Sequence, residues 1–134
     1  MNLKEIFESY KNIAVYGMSK NPGKAAYSVP KFFINEGFNV IPINPSTDEI
    51  EGKKSYSNIN DIPDEIDILN VFRPSEQALE VVKEAIERKK SKGDIKLIWL
   101  QEGIYSVEAK VLAESNGIQF IQDKCMYKEY FKAE

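Results

Sequence analysis

Asn12-Ile13-Ala14-Val15-Tyr16-Gly17-Met18-Ser19 is the stretch that decides the fold. Its apolar centre runs unbroken from Ile13 to Tyr16 and stops at a glycine. A short continuous apolar run of this kind reads as a strand buried on both faces, the type found in parallel sheets covered by helices. Upstream, Leu3, Ile6, Phe7 and Tyr10 recur at helical spacing and predict a short amphipathic helix. Downstream, residues 18 to 27 hold Ser, Lys, Asn, Pro and Gly and read as a loop. Ser28 reads as the cap of the next helix, with Pro30 in its first turn and Gly37 as its stop.

The same alternation continues. Phe38 to Ile43 forms a second strand, broken by Asn44-Pro45. Residues 46 to 64 are polar and promise only short pieces of structure. Ile66 to Phe72 is the third strand, and after it Ser75 caps a helix with Ala78, Val81, Val82, Ala85 and Ile86 on one face. Lys96 to Leu100 is the fourth strand, Ser106 to Ser115 a helix, and Ile118 to Ile121 the fifth strand. A polar and aromatic tail follows, which either packs back on the domain or makes a homodimer contact. Strands alternating with helices imply an α/β fold. The expectation is a Rossmann-like three-layer αβα domain over residues 1–134, with a five-stranded parallel sheet in the order 3-2-1-4-5.

Composition narrows the chemistry. The 134 residues carry 18 basic and 21 acidic side chains, a formal charge of −3, with one cysteine and no histidine. Without histidine there is no Ser-His-Asp triad, no Cys-His pair and no His-ligated metal. A single cysteine allows no internal disulfide and fits a reducing, cytoplasmic setting. The mild acidity gives no bulk attraction to nucleic acid. Apolar runs are too short to span a membrane, and the first ten residues lack a signal-peptide core.

In open α/β sheets, ligands bind beyond the carboxyl ends of the strands. The loop after the first strand offers Gly17 for a sharp turn, the Ser19 hydroxyl, Lys20 and Lys24. It reads equally as a phosphate cradle at a helix start or as a plain solvated loop. It matches neither the GxGxxG nor the Walker pattern. NAD sites place an acid near the end of the second strand, yet here Ile43-Asn44-Pro45-Ser46 carries none before Asp48. Asn44 and Pro45 read either as a neutral shelf for an adenine or ribose, or as a simple strand-ending turn. Phe72 serves as core or as a stacking ring, and Arg73 as a surface charge suited to a phosphate.

Several ordered pieces resemble one family. They are residues 13 to 19, Lys24 with Tyr27-Ser28-Val29, residues 40 to 45, Glu51-Gly52-Lys53, residues 67 to 73, Trp99-Leu100-Gln101-Glu102-Gly103 and Asp123-Lys124-Cys125. Together they resemble the small CoA-binding domain family, which is similar to the N-terminal CoA-binding domain of the succinyl-CoA synthetase alpha subunit. The resemblance implies a coenzyme A or acyl-CoA ligand. It puts the diphosphate at Gly17, Met18, Ser19, Lys20 and Asn21, with Lys24, Tyr27 and Ser28 at the helix entry beside it. It puts Asn44 and Pro45 under the adenosine, Val71, Phe72 and Arg73 along the nucleotide, and Gln101 and Glu102 near the pantetheine. The chain departs from the synthetase in having fewer glycines in the first loop and Arg73 where proline is expected.

Cys125 has two readings: inert packing, or a redox thiol with Lys124 beside it to favour the thiolate. Glu102 and Asp123 are candidates for an acid/base pair. The leading expectation is a non-catalytic CoA-binding or regulatory module. The alternatives are an acyl-CoA thioesterase or transferase, and an NAD(P)-binding regulatory protein. Synthetase-type ligation passes phosphate through a histidine, and this chain has none.

Overall fold

A computed structural model describes residues 1–133. The N-terminal helix α1, Leu3–Ser9, is closed by a capping box in which Asn2 and Glu5 bond each other's backbone. It leads into β1, Asn12–Tyr16. Then follow α2 (Ala25–Asn35), β2 (Asn39–Ile43), a hairpin of β3 (Glu49–Ile50) and β4 (Lys53–Lys54), and β5 (Ile68–Val71). The chain continues through α3 (Ala78–Lys92), β6 (Leu97–Leu100), α4 (Val107–Ser115), β7 (Gln119–Ile121) and α5 (Met126–Lys132). None of the described helices is long and apolar enough to cross a membrane.

The main sheet is five-stranded and parallel, as expected, and helices cover both faces. On one face Ala14, Leu69, Val71 and Ile98 pack with Val82 and Ala85 of α3 and Ala109 and Ala113 of α4. On the other, Ile13, Val15, Ile68 and Trp99 pack with Phe7 of α1, Phe33 of α2 and Met126 of α5. Alternate residues of each strand serve opposite faces, so the strands read as continuous apolar runs.

The strand order corrects the expected 3-2-1-4-5. It is β2-β1-β5-β6-β7, so the third main strand lies against the first rather than outside the second. Pro42 gives the reason. It lies in β2 opposite Val15 and has no N–H to donate, so β2 suits an edge. Its carbonyl faces outward and accepts the Tyr56 N–H at 3.0 Å. β5 is wholly buried, as an inner strand must be.

One further expectation gives way. The second helix begins at Ala25, and Lys24 at its cap makes no side-chain capping bond. Ser28 therefore sits inside the helix, and so does Pro30. Residues 46 to 64 hold only short pieces of structure, as expected, and these are firmly placed. Glu51 and Gly52 both take positive φ in a tight hairpin turn, and Ile50, Ile59 and Ile62 are fully buried. Arg88, towards the end of α3, is only 1% exposed. Its guanidinium pairs with Asp94 and donates to the carbonyls of Ile59, Ile62 and Asp64. This clamps the polar stretch onto α3. The C-terminal tail forms α5, whose Tyr130 ring packs against Phe7, Phe33 and Phe38.

Candidate ligand site

With β1 and β5 adjacent and their helices on opposite faces, the switch point of the sheet lies between them. Gly17 leaves β1 with φ +88. A Cβ there would meet the Phe72 carbonyl oxygen at 2.7 Å and the Arg73 Cδ at 2.9 Å. Glycine is required twice over, by conformation and by this close approach. It holds the loops after β1 and β5 together at the floor of a crevice.

Two cavities open there. One of about 350 Å³ is bounded by Tyr16, Asn44, Pro45, Ser46 and Ser57. The other, about 470 Å³, is bounded by Lys24, Ala26, Phe72, Pro74 and Ile104. Gly17, Ser19 and Arg73 line both.

The loop after β1 is braced from within. Ser19 Oγ accepts the Asn21 N–H at 3.0 Å, and Asn21 Oδ1 accepts the Gly23 N–H at 2.9 Å. The Ser19 N–H donates to the Ala26 carbonyl at 3.1 Å. Across the first cavity, Asn44 Nδ2 donates to the Met18 carbonyl at 2.8 Å and its Oδ1 accepts the Ser46 N–H at 2.8 Å. Asn44 thus fixes the shelf beside Pro45 and ties it to the β1 loop. Arg73 Nε donates to Gln77 Oε1 at 2.9 Å. Its other guanidinium N–H groups make no hydrogen bond among the described residues, so they are free for an anion.

The structure separates the residues expected at the ligand. Gly17, Ser19, Lys24, Asn44, Pro45, Phe72 and Arg73 surround the crevice. Met18 borders the first cavity, but its side chain is fully buried in the core below, leaving the backbone as its contribution. Val71 points into the α3/α4 core and lines neither cavity, because alternation along β5 turns it away from Phe72. Lys20 and Asn21 are exposed in the loop and line neither. Ser28 lies a helical turn beyond the loop. Tyr27 donates instead to Glu51 of the hairpin turn, and Lys31 pairs with the same carboxylate at 2.9 Å. The bond to Lys31 and then that to Tyr27 hold the Glu51 carboxyl below its ordinary pKa of 4.5.

Gln101 is buried and bonded to Asn70 and to the Met126 N–H. Glu102 is exposed and pairs with Lys128 at 3.0 Å. Asp123 Oδ1 instead accepts the Gly103 N–H at 2.7 Å. The candidate acid/base pair of Glu102 and Asp123 therefore has each member committed elsewhere. Cys125 is half-buried at the start of α5, packed on the core, and lines neither cavity.

Tyr16, Ser46, Ser57, Pro74 and Ile104 border the crevice without having been singled out from sequence. Tyr16 carried a usable signal, being the strand's last residue before Gly17. Its hydroxyl shares its proton between the two Glu84 oxygens, each at 3.1 Å. Burial, then the Glu84 charge, push its pKa above the usual 10.0, with Arg73 opposing.

Residues 11–130 match the family model described as a CoA binding domain. The chain belongs to the CoA-binding domain family. Within it, the chain is 37% identical to "Uncharacterized protein YneT" of Bacillus subtilis, covering 92% of this chain and 88% of that one. A hypothetical protein from Pyrococcus horikoshii has a solved structure with a TM-score of 0.89 and 34% identity, over 97% of this chain and 88% of that one. The CoA-binding domain chain is also 31% identical over 87% of its length to an ADP-forming acetate–CoA ligase of Methanocaldococcus jannaschii. It spans only 17% of that ligase.

Proposed function

We propose that the crevice binds coenzyme A or an acyl-CoA, and that the chain acts as a binding module rather than an enzyme. One observation carries this reading: the two cavities meet at Gly17, Ser19 and Arg73. Coenzyme A has two arms, an adenosine half and a pantetheine half, joined by a diphosphate. An anion at the junction meets the backbone of a loop that opens a helix, together with the Arg73 guanidinium. The neutral Asn44-Pro45 shelf suits the adenosine half. The second cavity, with Phe72, Pro74 and Ile104, suits the pantetheine arm. Both volumes fall in the range of about 300–1,000 Å³ usual for ligand pockets.

The non-catalytic part rests on what surrounds the crevice. Glu102 and Asp123 are engaged elsewhere, and Cys125 lines neither cavity. The chain has no histidine to relay a phosphoryl group.

A thermal-shift series with CoA, acetyl-CoA, NAD, NADP and ADP tests the ligand. The expected order puts CoA or acetyl-CoA first and ADP behind them. No stabilisation by millimolar CoA, or a larger one by NAD, overturns the reading.

A further inference from the structure

Asn70 of β5 is 1% exposed. Its Nδ2 is, among the described residues, a buried side-chain nitrogen without a hydrogen-bond partner. The amide cannot relieve this by flipping. Asn70 Oδ1 accepts from Gln101 Nε2, and Gln101 Oε1 accepts the Met126 N–H at 3.2 Å. Turning either amide over would set donor against donor. The free donor is thus held in place by Gln101 and α5, and a buried donor without an acceptor is costly.

Its position connects it to the crevice. Leu69 and Val71 face the α3/α4 core, whereas Ile68 faces the opposite side. Alternation therefore puts Asn70 and Phe72 on the face of Ile68. Phe72 is the next residue on that face, only half-buried, and forms a wall of the second cavity. Asn70 lies one pleat step beneath that wall, about 6.6 Å along the strand.

We propose that Asn70 is a further ligand-positioning residue, whose free amide N–H donates to a carbonyl of the ligand arm entering the second cavity when the Phe72 ring turns aside. This rests on the CoA reading. The pantetheine arm carries amide carbonyls, and ADP has no such arm. Occupation would satisfy the unpartnered donor and lodge the arm against the amide chain that leads through Gln101 to α5.

Calorimetry with CoA and ADP, joined to NMR of the side-chain amides, tests this. In the wild-type protein the Asn70 side-chain resonances are expected to shift with CoA and stay put with ADP. Asn70→Asp, compared at about pH 8 where a carboxylate only accepts, should weaken CoA about tenfold and leave ADP unchanged. Phe72→Ala should raise the ratio of CoA to ADP affinity. An unmoved Asn70 resonance in a CoA-saturated sample overturns the proposal, as does an equal loss of CoA and ADP affinity in Asn70→Asp. The resonance measurement needs no variant to fold. A wild-type protein that does not bind CoA at all overturns the underlying reading instead.

Discussion

The Ser19 N–H donates to the Ala26 carbonyl at 3.1 Å, the carbonyl that Pro30 leaves without its helical donor. In a regular helix the amide of residue 30 would take that acceptor. Pro30 has no N–H, so the first turn of α2 keeps a free carbonyl facing the β1 loop. The proline that breaks a helical rule thereby anchors the loop at the junction of the two cavities. Pro30→Ala is expected to restore the helical bond and release Ser19. The variant should match or exceed wild-type thermal stability while binding CoA several-fold more weakly. Unchanged affinity in calorimetry would show that the loop holds without this bond.

Gly17 makes the converse case. A side chain there must adopt φ +88 and meet the Phe72 carbonyl at 2.7 Å. The positive φ alone costs about 1 kcal/mol in an alanine, and the overlap adds to it. Gly17→Ala should lower the melting temperature and abolish stabilisation by CoA, because relief requires the β1 and β5 loops to part. A variant that melts early yet keeps its full CoA shift would separate the glycine from the site.

Much of this was legible in the chain. Continuous apolar runs, each closed by a turn residue, give the parallel sheet and its layers. The residues after the first three main strands lead to the crevice, because sheet topology places strand ends regardless of detail. Strand order was harder, though Pro42 held the clue that β2 is an edge. Packing direction was harder still. Val71 and Phe72 are neighbours in sequence but face opposite sides, and resemblance alone does not choose between them. Gln101 and Arg88 look like surface polar residues until their buried partners, Asn70 and Asp94, are brought to them by the fold.

Arg88 carries a stability prediction. Both it and Asp94 are nearly sealed from solvent, with a 2.9 Å contact between them. Removing one partner strands the other charge, at a cost of about 3–5 kcal/mol. Arg88→Leu also frees the carbonyls of Ile59 and Asp64 and leaves that of Ile62 to Lys92 alone, so residues 46 to 64 should loosen before the sheet does. Hydrogen exchange should show early loss of protection there. Similar protection in variant and wild type would make the clamp dispensable.

Tyr16 predicts an alkaline signature. Its pKa is raised in the folded state by burial and then by Glu84. A raised pKa contributes stability that is complete below the unfolded value, about 10, and is lost as pH rises through the folded value. Wild-type melting temperature should therefore fall above about pH 10 more steeply than that of Tyr16→Phe, which has no phenol to ionise. Parallel curves for the two proteins would remove Tyr16 from the alkaline transition.

Arg73 gives the sharpest test of the crevice, because it borders both cavities and holds only Gln77 through Nε. A charge-assisted bond to a phosphate is worth about 1.5–3 kcal/mol, or roughly ten- to a hundredfold in affinity. Arg73→Ala should lose that much toward both CoA and ADP, since the diphosphate is common to them. Its remaining binding should depend less on salt. Arg73→Lys should recover only part, because an ammonium lacks the planar fork that grips two oxygens. The lysine also lacks the Nε that Gln77 now positions. If Arg73→Ala weakens CoA but spares ADP, the guanidinium reads a group that ADP lacks, and the diphosphate does not sit at the junction.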